Sequence, residues 1–213
     1  MTDPAAEVVN VQDAVAALGN LDVYLFDQLQ RGRIRPGMVV LDAGCGSGRN
    51  IAWLLAAGYE VLAADRDSRA VASVREMAAS VAPALPPASI RQESIEAMTF
   101  EDACADVVIS SAVLHFAQDD ADFESMLAGC WRVLKPGGLF FCRLASTIGM
   151  EERFRSLGGR RYALPDGSER YLVDAPMLHS LTQRLNGELV DPIKTTVVDD
   201  LRCMTTWVVR KNG

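Results

Sequence analysis

The sequence predicts a doubly wound α/β fold of three layers, α/β/α, and three observations carry that expectation. Apolar strand-like runs alternate with helical periods across residues 38 to 144. The first strand runs directly into a glycine-rich turn, "VVLDAGCGSGRN" from Val39 to Asn50, with Gly44, Gly46 and Gly48 spaced two apart. The 213 residues, 49% of them hydrophobic, suffice for one sizeable core and leave no need for a second domain.

The elements follow in order. Residues 10–32 place Val11, Val15, Leu18, Leu21, Leu25 and Leu29 close to a helical period, which Gly32 and Pro36 end. Met38 to Leu41 is a short β-branched strand. Asn50 to Ala57 is helical and stops at Gly58. Glu60 to Ala64 is strand-like and ends on Asp65, and the helix Ser68 to Val81 runs into Pro83, Pro86 and Pro87. Ser89 to Gln92 and Asp106 to Ser110 continue the strands. A helix near Phe123 to Val133 and a strand from Gly138 to Leu144, after the Pro136-Gly137-Gly138 turn, complete the alternation. Each crossover helix must pack back on the sheet, so the strands are parallel and covered on both faces. After Leu144 the pattern changes. "GRRYALPDGSERYLV" reads as two short strands around Asp166-Gly167. A helix from about Asp174 to Leu185 and two strand-like runs, Glu188 to Val198 and Leu201 to Arg210, finish the chain.

Composition narrows the function. Lys and Arg number 21 against 28 Asp and Glu, a net charge of −7 and a pI near 4.9, so a phosphate backbone is a poor partner and nucleic acid is set aside. The start, MTDPAAEVVNVQDAV, has neither a basic stretch nor an apolar segment. No apolar run approaches the roughly 18 residues of a membrane span. The five cysteines form no CxxC pair, which suggests neither a disulfide framework nor a zinc or other metal site. A soluble cytoplasmic protein is expected.

A strand that enters a glycine turn and then a helix N-terminus is, physically, a nucleotide site: glycine lets the backbone approach a ligand, and free amides favour negative charge. A dinucleotide site would have glycine where Arg49 stands, and a phosphate loop would continue GK[ST]. A turn that holds nothing is the plain alternative.

Asp42-Ala43-Gly44-Cys45-Gly46-Ser47-Gly48, preceded by Val39-Val40-Leu41, resembles motif I of class I S-adenosylmethionine-dependent methyltransferases. Asp106 to Phe116 resembles the family's motif IV, and Leu134-Lys135-Pro136-Gly137-Gly138 the turn before its fifth strand. The resemblance implies a Rossmann-like sheet of seven strands with the last antiparallel, S-adenosylmethionine as cofactor and S-adenosylhomocysteine as its product. It also implies one domain over 1–213: an N-terminal helical cap (1–35), a cofactor-binding core (36–145), an insertion on the acceptor side (146–186) and a C-terminal β-hairpin (187–213). Gly48-Arg49-Asn50 with Gly58-Tyr59-Glu60-Val61 is similar, more finely, to the branch of tellurite-resistance and thiopurine methyltransferases.

Carried over residue by residue, the resemblance puts the cofactor's carboxypropyl group on Asp42, Gly44 and Gly46, its ribose on Asp65, its adenine on Ser94 and Ile95, and its methyl face on Ser110, Ser111 and His115. Cys45, Arg49, Asn50, Arg66 and Glu93 complete the expected cofactor contacts. Glu93-Ser94 stands where the family often has Gly-Asp.

His115 is the candidate general base, since its ordinary pKa near 6.5 suits proton removal; a histidine that lines the pocket or bonds the backbone is the alternative. Ser110-Ser111-Ala112-Val113 lacks the Asn/Asp-Pro-Pro-aromatic tetrapeptide of nucleic-acid amino methyltransferases. Between Arg143 and Tyr171 six arginines face four acids, so a small anionic acceptor held by guanidinium forks is expected, with Tyr24, His115, Arg143, Arg153 and Arg161 around it. A solvated face is the other reading of those arginines. The functional rival is a protein, monomer or homodimer like the enzyme, that binds the cofactor as a sensor or partner module without transferring its methyl group.

Overall fold

The computed structural model describes residues 10–213; the first nine positions of the expected helical cap lie outside them. The single N-terminal helix expected over 10–32 is two helices, α1 (Val11–Leu18) and α2 (Val23–Gln30). Gly19 breaks the run at φ +57°, and Asp22 restarts it as an N-cap, its carboxylate accepting the Tyr24 amide at 2.9 Å.

The alternation then proceeds as β1 (Val39–Ala43), α3 (Ala52–Ala56), β2 (Glu60–Asp65), α4 (Ser68–Val81), β3 (Ile90–Gln92), β4 (Ala105–Ser111), α5 (Asp120–Val133) and β5 (Leu134–Ala145). Asp67 and Asp119 cap α4 and α5 through their carboxylates. Past β5 come β6 (Arg155–Gly158), β7 (Arg161–Ala163) and β8 (Glu169–Tyr171), an antiparallel sheet of three strands where the turn chemistry announces two. The chain ends with α6 (Ala175–Arg184), β9 (Gly187–Leu189), β10 (Lys194–Val198) and β11 (Arg202–Lys211). The run Glu188 to Val198 is thus two strands, divided at residues 190–193, where Pro192 cannot donate to a ladder.

The main sheet has the order β3-β2-β1-β4-β5-β11-β10. Its first five strands are parallel, and the last strand, β11, runs antiparallel to β5 and β10; β9 adds a short pairing to β11. One face is covered by α2, α3 and α4, whose Leu25, Leu54, Leu55, Val71 and Val74 meet Val40, Val61, Ile109 and Phe141. The other is covered by α5 and α6, whose Leu127, Cys130, Leu178 and Leu181 meet Val108, Phe140 and Trp207. Trp207 is fully buried, its indole donating to Thr182 Oγ1 at 3.0 Å, which satisfies the one polar atom that this large side chain takes inside. This double cover leaves the carboxyl ends of β1, β2 and β4 as the open edge, where such sheets hold ligands. No helix among the described residues is long and apolar enough to cross a membrane.

Candidate active site

Gly44 opens the turn after β1 at φ +86°, and a Cβ there would stand 2.5 Å from Val113 Cγ2. That contact is how the first glycine draws the loop against the segment that follows β4. Gly46, at φ +52°, has nothing within 4 Å of its Cβ direction, so its bare Cα faces open space.

Four amides of this loop are not free. Gly44 and Cys45 both donate to Ala64 O, at 2.8 and 3.0 Å; Gly46 donates to Asp65 Oδ2 at 2.8 Å, and Gly48 to Cys45 O at 2.9 Å. The expectation of free amides at the turn is therefore corrected. The loop is a steric cradle closed by its own hydrogen bonds, and four amides that a pyrophosphate would need are spent.

Above it lies a cavity of about 520 Å³, the size range of small-molecule sites. Of the expected cofactor residues it brings together Gly44, Cys45, Gly46, Arg49, Asn50, Asp65, Arg66, Ser94, Ile95 and Ser111. Asp65 ends β2 with Oδ1 on the Asp67 amide at 2.9 Å and Oδ2 on that of Gly46, which fixes the carboxylate plane. Each oxygen keeps a second lone pair. Asp42 stands behind the loop with 1% exposure, and its Oδ2 has no hydrogen-bond partner. Burial pushes its carboxyl up to about 7, with Arg49 pulling down and Asp65 adding to the rise.

Other expected residues are placed elsewhere. Glu93 turns away from the cavity and holds the Thr99 amide and hydroxyl, at 2.8 and 2.6 Å. Ser110 alternates to the opposite sheet face from Ser111 and is fully buried, its Oγ without a partner. The Cys45 thiol is pushed up by burial first, then by Asp42 and Asp65, so it is a neutral wall and no nucleophile.

His115 does not line the cavity. It is 5% exposed, and its Nδ1 accepts the Ala145 amide at 3.1 Å. That bond assigns the proton to Nε2, and burial, followed by Arg170, lowers the ring to about 4. With its acceptor nitrogen engaged, the imidazole has no lone pair for an incoming proton.

The expected acceptor residues are also committed. Tyr24 Oη shares a 2.6 Å hydrogen bond with Thr196 Oγ1. Arg143 pairs with Asp22 at 2.6 Å and lies over the Tyr24 ring at 4.8 Å. Arg153 pairs with Asp200 at 3.0 Å, and Arg161 donates to Ala117 O at 3.1 Å and to Glu169 at 3.4 Å. The excess of arginines in this segment is thus largely consumed by internal partners.

Sequence reasoning misses part of the cavity: Ser47, Glu96, Ala112, Val113, Phe116, Asp122 and Met126 also line it. Asp122 and Met126 are four apart on α5, so helical spacing past the motif IV segment is the signal that finds them. Asp22 is missed as well. Its side chain is wholly buried, and it reaches Arg143 and, at 3.5 Å, Arg49, which also touches Ser111 Oγ at 3.3 Å.

Comparisons with known proteins agree with this geometry. The family model described as a methyltransferase domain matches residues 41–142. A protein of Mycolicibacterium smegmatis named as a probable S-adenosylmethionine-dependent methyltransferase is 35% identical over 112 residues, 53% of this chain and 40% of its own length. The chain spans about half or less of the length of the curated relatives it matches first, 40 to 51%. Among solved structures, the 1,6-didemethyltoxoflavin-N1-methyltransferase of Burkholderia thailandensis superposes with a TM-score of 0.68 at 22% identity, over 96% of this chain and 82% of that one. TehB of Haemophilus influenzae does so with a TM-score of 0.68 at 18% identity, over 90% and 63%. Identities this low speak for the fold. Sheet order, glycine cradle and the match across 41–142 agree: the fold is that of the class I S-adenosylmethionine-dependent methyltransferases, and residues 41–142 resemble a methyltransferase domain.

Proposed function

We propose that the protein transfers the methyl group of S-adenosylmethionine to a small-molecule acceptor. The observation that carries this reading is the set of groups around one cavity: the Asp65 carboxylate, the Arg49 guanidinium, and behind the loop an Asp42 oxygen that nothing among the described residues satisfies. A zwitterionic nucleoside fits that donor set. Asp65 would hold the ribose hydroxyls, Arg49 the carboxylate, Asp42 the ammonium, and Ser94 with Ile95 the adenine edge. When bound, the cofactor supplies a methyl group already activated by its sulfonium.

The chain's own part is then to position the acceptor and exclude water. Neither His115 nor Cys45 can take a proton near neutral pH, which supports an acceptor that attacks with a lone pair it already has. Arg143, Arg153, Arg160 and Arg161 are held by Asp22, Asp200, Asp174 and Glu169, which weakens the anionic preference expected from the number of arginines. The cavity lining instead carries Asp65, Glu96 and Asp122 against Arg49 and Arg66, which favours a neutral or cationic acceptor.

Calorimetric titration with S-adenosylmethionine and S-adenosylhomocysteine tests the reading, with Asp65→Ala as control. Micromolar binding that the variant loses supports it, and absence of binding to the wild type overturns it. A sensor would share every one of these contacts. Turnover of bound cofactor with any acceptor decides against that rival.

A further inference from the structure

Asp42 is placed where a carboxylate is costly. It is the fourth residue of β1, paired in register with Ala63 of β2 and Ile109 of β4, so hydrocarbon flanks it on both sides. A buried acceptor left without a donor loses its hydration and gains nothing in return. A sheet position this central, 1% exposed, would ordinarily hold valine or isoleucine.

The charged and titratable groups around it come from every neighbouring element. The glycine loop brings Arg49 and Cys45, β2 brings Asp65, and α5 brings Cys130; Asp22 of α2 and Arg143 of β5 form their own ion pair nearby. Asp22 takes Arg143 at 2.6 Å and also draws Arg49, at 3.5 Å, so no guanidinium is dedicated to Asp42. Asp65 is a second acid, and its oxygens are occupied by backbone amides. Among the described residues no cation forms an ion pair with Asp42, and Arg49 only partly offsets its burial.

We propose that Asp42, behind the glycine loop, stands as the neutral acid in the ligand-free protein, and that seating the cofactor's α-ammonium beside it converts it to the carboxylate, so that the cofactor binds with release of a proton. This rests on the S-adenosylmethionine reading of the site. The step balances: the carboxyl O–H breaks, its proton passes to solvent buffer, and the oxygen left behind accepts an N–H of the ammonium, whose own protons stay in place. Burial, which pushes this carboxyl up to about 7, makes the exchange fall in the neutral range. A ligand with the same adenosine and sulfur but no amino-acid group leaves Asp42 protonated.

The test is calorimetric and needs no turnover. S-adenosylhomocysteine is titrated into the full chain at pH 6.5 in phosphate and in imidazole, and the dependence of the observed enthalpy on buffer ionisation enthalpy gives the protons released. About three-quarters of a proton per ligand is expected for a group titrating near 7, falling towards zero at pH 8.5. Methylthioadenosine, which lacks the amino-acid group, should bind the same wild-type protein with no buffer dependence. Asp42→Asn should still bind S-adenosylhomocysteine, more weakly and without proton release.

Binding of S-adenosylhomocysteine with no buffer dependence at pH 6.5 overturns the proposal while leaving the cofactor reading intact. The same dependence with methylthioadenosine, or its survival in Asp42→Asn, also overturns it and moves the proton to another group. A wild type that binds neither ligand overturns the cofactor reading, and the proposal with it. The methylthioadenosine comparison uses only wild-type protein, so the test stands even if the variant fails to fold.

Discussion

The Asp22 carboxylate and the Arg143 guanidinium, 121 positions apart, meet at 2.6 Å with the acid wholly buried and the arginine side chain 19% exposed. This pair joins the N-cap of α2 to the carboxyl end of β5, and through Asn50, whose Oδ1 accepts the Asp22 amide at 3.2 Å, it also reaches the glycine loop. Three elements, of which the glycine loop walls the cavity, therefore share one buried charge.

Removing one partner of such a pair strands the other in a poorly solvated place. Asp22→Asn keeps an acceptor for the Tyr24 amide but leaves Arg143 uncompensated, and should lower unfolding stability by about 3 kcal/mol. Asp22→Asn combined with Arg143→Met should recover part of that loss, because the orphaned charge is gone. Urea unfolding of the single and double variants checks this; a double variant as unstable as the sum of its singles contradicts it.

The first two loop glycines should differ in what they tolerate. Alanine at Gly46 meets only the strain of a positive φ, about 1 kcal/mol, or roughly 3 °C in a protein of this size. Alanine at Gly44 adds a collision with both Val113 methyls, at 2.5 and 2.7 Å, and should cost at least about twice as much. Thermal unfolding of the two variants decides, and equal shifts would show that the Val113 contact yields freely.

The parallel sheet and the glycine turn are legible in the sequence because each rests on local chemistry: β-branched runs, helix caps, and glycines at positive φ. Local signals also account for where the reading stops. Gly19 and Asp22 lie inside an unbroken apolar period, so two helices read as one. Glu93 and Ser94 are neighbours in sequence, yet the chain turns between them, and one holds Thr99 while the other faces the cavity. The arginines of 143–171 show an excess of charge along the chain. Their partners Asp22, Asp174 and Asp200 lie outside that window and only the folded arrangement brings them in. Partnering of this kind has no period, and a count of residues cannot see it.

Asp65 and Asp42 should separate by ligand. The Asp65 carboxylate is fixed by two backbone amides and faces the cavity where a ribose fits, so Asp65→Ala should weaken S-adenosylhomocysteine and methylthioadenosine alike, by about 10- to 100-fold. Asp42→Asn should weaken only the ligand with an amino group. Dissociation constants for both ligands and both variants give a two-by-two comparison. Equal losses for Asp42→Asn on the two ligands would remove the ammonium contact.

His115 gives the pH prediction whose sign is least intuitive. Its ring is lowered by burial, and secondarily by Arg170, from 6.5 to about 4, so the folded protein binds its proton less readily than the unfolded chain does. The stability this contributes is full above about pH 6.5 and is lost as pH falls towards about 4, amounting to about 3 kcal/mol. His115→Asn can keep an acceptor for the Ala145 amide while removing the titration, so its stability should fall less steeply than the wild type between those two pH values. The same variant separates structure from catalysis. A general base contributes roughly 10² to 10⁴ in rate, whereas an imidazole whose acceptor nitrogen is spent on the backbone should cost less than tenfold when replaced. A loss of turnover above a hundredfold, with cofactor affinity unchanged, would return His115 to the reaction and require the Ala145 bond to open during the catalytic cycle.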